Sequence, residues 1–331
     1  MTEAFVTLAE VEAAREAIKG IARATPVELS AALSDLTGVP VALKLEHQQV
    51  SGSFKFRGAT NAVQALSEAE RAAGVVGVST GNHGRGLARA CSMAGVRCVI
   101  AMSNLVPRNK VEAIRAEGAE VLISGQSQDE AQREVDRLVA NGMTMIPPFD
   151  HRHVIAGQGT IGLEMLEAMP EVETVIVQVS GGGLISGIAT AIKTRRPQTQ
   201  VVGVSMERGA AMWSSLEAGR PVEVEELPTL ADSLGGGIGL DNRHTFAMVQ
   251  RLVDGFVRVT EPEIAAGIRH CYWREGLIAE GSGATGVAAL LSGRVTPRGP
   301  TMVLISGGNI DIGLHHRVIS GEDVDVTEEA A

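Results

Sequence analysis

The 331-residue chain lacks the features that mark secreted and membrane-spanning proteins. Its three cysteines, Cys91, Cys98 and Cys271, have no C-x-x-C spacing and no companion histidine cluster, which argues against a disulfide framework and a structural zinc site. No stretch reaches the roughly 18 apolar residues of a membrane span, and the first residues lack the pattern of a signal peptide. The sequence therefore predicts a protein of the reducing cytoplasm without a membrane partner.

Basic residues are outnumbered by acidic ones. The chain has 29 Lys and Arg against 39 Asp and Glu, a formal net charge of −10, and the two signs are interspersed along most of its length. Because no basic stripe is present, we expect no nucleic-acid partner. Hydrophobic residues make up 44% of the chain, as in a globular protein with a sizeable core.

Apolar runs alternate with alanine-rich amphipathic stretches. The predicted strands cover residues 39–46, 74–79, 98–103, 120–124, 144–147, 172–179, 200–205 and 301–306. The predicted helices include residues 84–94, 108–117, 128–141 and 184–195, and a capping box at Thr7 and Glu10 opens a further helix expected to run to about Ala24. Strand–helix alternation with continuous apolar strands predicts an α/β protein with parallel sheets.

The length of the chain exceeds that of one compact core, so we expect two domains. We place a smaller domain at residues 70–148, inserted into a larger domain of residues 1–69 and 149–320. Residues 321–331 form an acidic tail that we expect to be poorly ordered.

The first segment that could form a binding site is an apolar strand followed by Ser180, Gly181, Gly182 and Gly183, with a helix that begins at Leu184. Glycines let backbone amides approach an anion closely, and a helix amino end adds partial positive charge. The alternative is a tight turn without function, but three successive glycines exceed what a turn needs. The segment therefore predicts a phosphate-binding loop.

The second segment places Lys55 between Phe54 and Phe56, next to a turn of small residues. Reduced solvation would leave the lysine amine more often neutral and able to form a Schiff base. Most lysines are solvated surface groups, so the segment alone leaves both interpretations open.

The third and fourth segments each follow a predicted strand, at the end where open α/β sheets bind ligands. The third consists of Ser79, Thr80, Gly81, Asn82 and His83. Its hydroxyls and helix-start amides would suit a substrate carboxylate, although an N-capping loop is equally plausible. We expect His83 to orient this loop and not to act as a base. The fourth segment ends its strand at Ser306, which alone indicates little.

Two patterns suggest other sites and are set aside. Residues 157–162 match the dinucleotide fingerprint as a string, but they follow a polar stretch and no acid stands about twenty residues later. His151 and His153 have no partnering carboxylate cluster, so we expect no metal there.

In this order the four segments resemble those of the fold type II pyridoxal-phosphate enzymes, specifically the threonine dehydratase and serine racemase group. The resemblance spans nearly the whole chain and includes the cofactor-lysine motif at residues 53–59. It implies a tryptophan synthase β-like fold of two open, twisted, mainly parallel sheets flanked by helices. It also implies a pyridoxal 5'-phosphate cofactor, a small amino-acid substrate and a homodimer.

The resemblance also assigns roles to residues. Lys55 is the catalytic residue that binds the cofactor covalently, Phe54 contacts the cofactor ring, Asn82 binds its hydroxyl oxygen and Ser306 faces its pyridine nitrogen. The phosphate is held by Ser180, Gly181, Gly182, Gly183 and Leu184. The substrate carboxylate is held by Ser79, Thr80, Gly81 and His83. Thr80 is a second catalytic candidate, because racemases place an acid–base serine there.

The implied reaction is the loss of water and then ammonia from a 3-hydroxy amino acid. A neutral hydroxyl at Ser306 makes the ring a weaker electron sink than a carboxylate would, which favours elimination over transamination. Residues 230–242 resemble the dehydratases associated with hydroxyectoine utilisation, which implies a diamino-hydroxy acid as substrate. The open alternatives are threonine, serine or hydroxyaspartate dehydration, racemisation, β-replacement and a non-catalytic phosphate-ligand sensor.

The methyl group of Thr80 weakens the racemase alternative without excluding it. The resemblance provides no support for a metal either, because Ser205 and Ala211 stand where the racemase group has cation-binding acids. Glu207, Asp232 and Glu280 are near these positions in the pattern, so the resemblance leaves a divalent cation open, and we assign no metal ligands.

Overall fold

A computed structural model describes residues 5–79, 81–104, 106, 108–125 and 128–329. The strands are β1 (Val27–Leu29), β2 (Val41–Leu45), β3 (Val75–Val78), β4 (Cys98–Met102), β5 (Glu120–Ile123), β6 (Thr144–Met145), β7 (Thr174–Gln178), β8 (Gln200–Met206), β9 (Gly255–Val259) and β10 (Thr301–Ile305). The helices are α1 (Leu8–Ile18), α2 (Ala31–Thr37), α3 (Lys55–Gln64), α4 (Glu68–Ala73), α5 (Asn82–Ala94), α6 (Arg108–Ala116), α7 (Gln128–Ala140), α8 (Arg152–Ala168), α9 (Gly183–Arg195), α10 (Ala211–Ala218), α11 (Thr245–Leu252), α12 (Glu261–Glu275), α13 (Gly281–Leu291), α14 (Ile312–Ile319) and α15 (Val326–Glu329).

These strands form two sheets. The larger sheet has the order β1-β2-β10-β7-β8-β9, and the smaller has the order β5-β4-β3-β6. Only the pairing of β1 with β2 is antiparallel among the described strands. The predicted α/β class with two mainly parallel sheets is confirmed. The smaller sheet lies within residues 75–145, and the domain boundaries stay a prediction.

Helices cover both faces of the larger sheet, which explains its apolar strands. All residues of β2, β7 and β10 are buried. Neighbouring residues of one strand belong to two separate apolar clusters, as Val175 and Ile176 do, because their side chains point to opposite faces. Every predicted strand is present with ends within two residues of the prediction. The sequence pattern did not predict the edge strands β1 and β9, whose residues are mostly not fully buried.

The amino-terminal helix confirms one prediction and corrects another. The capping box is present, with the Thr7 hydroxyl accepting from the Glu10 amide. The helix ends at Ile18 and does not reach Ala24. Lys19 has extended dihedral angles and Gly20 has a φ of 76°, a left-handed conformation that does not continue a helix.

Residues 157–162, which match the dinucleotide fingerprint, lie inside α8 and not in a strand-to-helix turn. Their glycines permit close helix packing. A Cβ atom at Gly157 would lie 2.7 Å from the Arg57 carbonyl oxygen, and one at Gly159 would lie 2.9 Å from the Gly187 carbonyl oxygen. The pattern therefore reflects packing of α8 against α3 and α9.

The carboxyl-terminal segment is partly helical. Within the acidic tail, α15 forms one turn, and Val324 and Val326 pack against the apolar cluster beneath α12 and α13. No helix in the described part of the chain is long and apolar enough to cross a membrane.

Candidate active site

A cavity of about 600 Å³ lies at the carboxyl ends of strands from both sheets. Its lining follows β3, β7 and β10 and includes the start of α3. The predicted site residues in this lining are Phe54, Lys55, Ser79, Gly81, Asn82, His83, Ser180, Gly181, Gly182, Gly183, Leu184 and Ser306. Thr80 lies outside the described residues. The fold therefore brings together segments that are up to 252 positions apart in the chain, as Phe54 and Ser306 are.

Lys55 is the first residue of α3, and its backbone is held against the strand that carries Ser306. The Phe54 amide donates to the Ser306 carbonyl at 3.0 Å. The Lys55 ammonium donates to the Pro148 carbonyl at 2.7 Å and lies 5.4 Å from the centroid of the Phe54 ring. Burial lowers the pKa of Lys55 to about 8. This lysine therefore has the enclosed, aromatic surroundings that the sequence predicts.

The lowered pKa of Lys55 predicts the pH dependence of its reaction with an aldehyde. Only the neutral amine is nucleophilic, so the rate rises with pH and levels off above the pKa. We expect the reaction of the apoprotein with pyridoxal phosphate to have its midpoint near pH 8, as the pKa of about 8 requires. Stopped-flow absorbance at a series of pH values measures this midpoint. A midpoint near the ordinary lysine value of 10.5 would contradict an enclosed amine.

The glycine segment forms a turn that only small residues permit. Gly182 precedes α9 with a φ of 86°, and no side chain caps the helix. A Cβ atom at Gly181 would lie 2.3 Å from the Phe149 ring, and one at Gly183 would lie 2.8 Å from the Phe149 carbonyl oxygen. The uncapped helix start faces the cavity, which suits a phosphate group.

Asn82 is held by a network that the sequence did not predict. Its side-chain amide donates to the Glu280 carboxylate at 2.7 Å and to the Ser233 hydroxyl at 3.3 Å. Its oxygen accepts from the Asn309 side chain at 2.6 Å. Burial, together with the charge of Asp232, raises the pKa of Glu280 to about 7. Glu280 therefore fixes the direction in which Asn82 presents its amide.

Ser79 and His83 have structural partners in the loop before α5. The Ser79 hydroxyl accepts from the Gly84 amide at 3.0 Å and from the Gly81 amide at 3.3 Å, as a helix-capping residue does. His83 lies 2.9 Å from the Ile146 carbonyl through its Nε2 atom. Burial and the nearby charge of Lys55 lower the pKa of His83 to about 3, so its ring is neutral at physiological pH. These contacts agree with an orienting role for His83.

Buried polar groups without partners occur in the same cavity as Ser306. Gln178 Oε1 and Ser282 Oγ have no hydrogen-bond partner among the described residues, although both side chains are almost fully buried. Unpaired buried polar atoms are rare in folded proteins. The lining therefore fits a polar ligand that extends from the glycine segment to Ser306.

Several lining residues carry no strong signal in the sequence. Phe149 and Pro148 follow the two-residue strand β6, and only their contacts with the glycine segment and Lys55 show their importance. Glu280 stands before the small residues that open α13, a pattern that could have suggested a buried acid at a helix start. At the cavity rim, the Lys110 ammonium lies 3.5 Å from Asp232.

The positions considered for a metal show no cluster of ligating side chains in the described part of the chain. The Ser205 hydroxyl contacts the Met206 sulfur atom. The described residues contain no group of three or more His, Cys, Asp or Glu side chains arranged to hold a metal ion.

Comparison with known proteins establishes the family. The model described as "Pyridoxal-phosphate dependent enzyme" matches residues 18–307. The chain belongs to this family and is an enzyme with pyridoxal phosphate as its cofactor. The residues of the cavity fit pyridoxal phosphate. The uncapped glycine turn suits its phosphate, the enclosed lysine suits its aldehyde, and the unpaired polar atoms suit a polar ligand.

Three relatives illustrate the similarity. A putative threonine dehydratase of Sinorhizobium fredii is 56% identical over 326 residues, which is 98% of each chain. The L-threonine ammonia-lyase of Thermotoga maritima is 42% identical over 317 residues, covering 96% of this chain and 79% of that protein. The structure of maize serine racemase superimposes with a TM-score of 0.89 at 31% identity, covering 95% of this chain and 97% of that one. The predicted fold type II architecture is confirmed.

Proposed function

We propose that this enzyme is a dehydratase that removes water and then ammonium from a 3-hydroxy amino acid. One observation carries the proposal: the enclosed Lys55 amine shares a cavity with the phosphate-suited glycine segment and the neutral hydroxyl of Ser306. The names of the two relatives with the higher identities, a putative threonine dehydratase and an L-threonine ammonia-lyase, support the same reaction.

Each residue has a role that follows from its position. Lys55 binds the cofactor and, once released, takes the proton from the substrate Cα, because its amine is neutral in a large fraction of molecules near pH 8. When bound, pyridoxal phosphate stabilises negative charge at that carbon. Gly181 to Gly183 would hold the phosphate with backbone amides, and the Asn82 N–H that reaches the Ser233 hydroxyl at 3.3 Å would donate to the ring oxygen instead. Ser306 offers a neutral hydroxyl to the ring nitrogen, which favours elimination.

The loop of Ser79, Gly81 and His83 has the task of orienting the substrate through its carboxylate. Thr80 belongs to the same proposed loop. Correct orientation of the Cα–H bond determines which bond breaks, and positioning of this kind contributes strongly to rate.

The charged residues of the cavity bear on the choice of substrate. In the described lining, Glu226, Asp232 and Glu280 are acidic, and the lysines are Lys55 and Lys110. Arg85 and Arg133, the bases that would suit a second substrate carboxylate, are not among the described lining residues, although the charge of Arg85 acts on Glu280. This charge distribution disfavours hydroxyaspartate and favours a substrate with a neutral or amino-bearing side chain, including the diamino-hydroxy acid linked to hydroxyectoine.

A substrate panel tests the proposal. The purified enzyme with pyridoxal phosphate is given L-threonine, L-serine, hydroxyaspartate or the hydroxyectoine-derived diamino acid, and ammonium and 2-oxo acid are measured. We expect stoichiometric release of both products from one of the neutral or amino-bearing substrates and the least from hydroxyaspartate. Appearance of the mirror-image amino acid without ammonium would instead identify a racemase. Cofactor binding without turnover of any substrate would favour a sensor. The cytoplasmic location and the homodimer stay predictions.

A further inference from the structure

Four charged side chains form a buried cluster behind the start of α3. This buried charge cluster consists of Lys44, Glu46, Arg57 and Glu164. Lys44 and Arg57 are each 1% exposed, Glu46 is 0% exposed and the Glu164 side chain is 16% exposed. Two cations balance two anions, which satisfies the requirement that buried charges be paired. The cofactor site does not include these residues.

Arg57 is the centre of the cluster. It donates to both carboxylate oxygens of Glu46, at 2.9 and 2.8 Å, and to both of Glu164, at 2.6 and 2.8 Å. Further bonds reach the Arg23 carbonyl at 2.9 Å and the Thr160 hydroxyl at 3.1 Å. All five N–H groups of the guanidinium therefore have acceptors, so both its position and its plane are fixed.

These bonds fix one side of the helical turn that begins at Lys55. Residues two positions apart on a helix do not share a face, so Arg57 projects away from the side that carries Lys55. Glu46 directly follows β2, and Glu164 belongs to α8. No side chain caps α3 at Phe54, so the usual device for fixing a first turn is missing. Arg57 supplies this restraint through tertiary contacts.

The restraint extends to the glycine segment through helix packing. The Gly58 amide donates to the Gln158 side chain of α8 at 3.2 Å. A Cβ atom at Gly187 of α9 would lie 2.2 Å from the Ile155 carbonyl oxygen of α8. Helices α3, α8 and α9 are thus in close contact, and α9 begins at Gly183. The orientation of Arg57 is therefore linked to the separation between Lys55 and the phosphate-suited turn.

We propose that Arg57 is a positioning residue that places the Lys55 amine for reaction with the cofactor aldehyde. This inference rests on the proposed role of Lys55 and leaves the identity of the substrate aside. Its rival is a cluster that only stabilises the fold. A substitution of Lys44 distinguishes a positioning role from a purely stabilising one. Lys44 belongs to the cluster and donates to Glu164 at 2.5 Å and to the Thr25 carbonyl at 2.6 Å, but to no residue of α3.

The test compares matched substitutions in the full-length protein. Arg57→Lys keeps the positive charge but loses the planar guanidinium that makes bidentate hydrogen bonds to both carboxylates. Lys44→Met disrupts the cluster away from α3. Arg97→Lys is the control, because Arg97 makes bidentate hydrogen bonds of 2.9 and 2.8 Å to Glu120 on the exposed surface. Glu164→Gln is a milder alternative if Arg57→Lys does not fold.

Three measurements are made on each variant. They are the apoprotein melting temperature, the Kd for pyridoxal phosphate by absorbance titration, and the rate of Lys55 labelling by pyridoxal phosphate, with borohydride trapping and peptide mass spectrometry. We expect Arg57→Lys to slow labelling and to weaken binding by about 10-fold or more, since small displacements of reacting groups have large rate effects. Glu164→Gln should have a smaller effect of the same kind.

The outcomes separate the alternatives. Lys44→Met should lower the melting temperature yet leave labelling within roughly 2-fold of the wild type, because α3 keeps its restraint. The inference would be overturned if Lys44→Met and Arg57→Lys had the same melting temperature and the same decrease in the rate of Lys55 labelling. A wild-type labelling rate in Arg57→Lys would also overturn it. Absence of Lys55 labelling in the wild type would refute the proposed function itself. Normal labelling without ammonium release would refute only the dehydratase reaction.

Discussion

Replacement of Lys55 by alanine should abolish turnover, with a decrease in kcat of at least about 1000-fold. The substitution removes both the covalent attachment of the cofactor and the base that takes the Cα proton. The described cavity contains one other lysine, Lys110, which is paired with Asp232 at the rim. We therefore expect no replacement of the lost amine.

The measurement is ammonium release at saturating substrate and pyridoxal phosphate. Lys19→Ala serves as the control, because the Lys19 side chain is 73% exposed and pairs with Glu16 on the surface. The control should match the wild type. Retained elimination in Lys55→Ala would show that another group removes the proton, and the assignment of Lys55 as the base would be wrong.

The second large effect is expected from Gly183→Ala. The added Cβ atom would lie 2.8 Å from the carbonyl oxygen and 2.9 Å from the Cα atom of Phe149. Because both are backbone atoms, the start of α9 must move relative to residue 149. Overpacking of this kind typically costs about 2 kcal/mol, which corresponds to roughly 30-fold weaker cofactor binding if the phosphate-binding geometry bears the cost.

Absorbance titration of the apoprotein with pyridoxal phosphate measures this loss. Gly255→Ala is a matched control in an edge strand, where the closest atom outside the adjacent residues, in the Gln200 side chain, would lie 3.9 Å from an added Cβ atom, an ordinary contact. Unchanged cofactor affinity in Gly183→Ala, together with an unchanged melting temperature, would show that the turn tolerates a side chain. The phosphate would then have to bind elsewhere in the cavity.

The sequence predicted the parts of the site that depend on local pattern. The glycine turn is recognisable because backbone approach to an anion requires residues without side chains, and three such residues follow an apolar strand. The local pattern alone left the role of Lys55 open and indicated little about Ser306, so both residues were assigned through the family resemblance. The strand positions could also be predicted from local pattern, because strands covered by helices on both faces of a sheet require continuous apolar runs.

The remaining parts of the site depend on contacts between distant segments. Glu280 reaches Asn82 across 198 positions of the chain. Phe149 matters because it packs against the glycine turn, and the phenylalanine itself gives no sign of this in the sequence. Nor could the charge balance of the cavity be predicted, because the side chains of Glu226, Asp232 and Glu280 meet only after folding.

By itself, the sequence determined the fold class and the glycine turn that suits a phosphate, because strand periodicity and successive glycines are local properties. Only the tertiary structure decided the protonation of the site residues and the contacts that position them. The pKa of Lys55 falls to about 8 because the folded chain encloses its amine. Arg57 acquires its partners only when β2, α3 and α8 pack together. Solvation and buried pairing arise from the whole packed environment, which no local stretch of sequence contains.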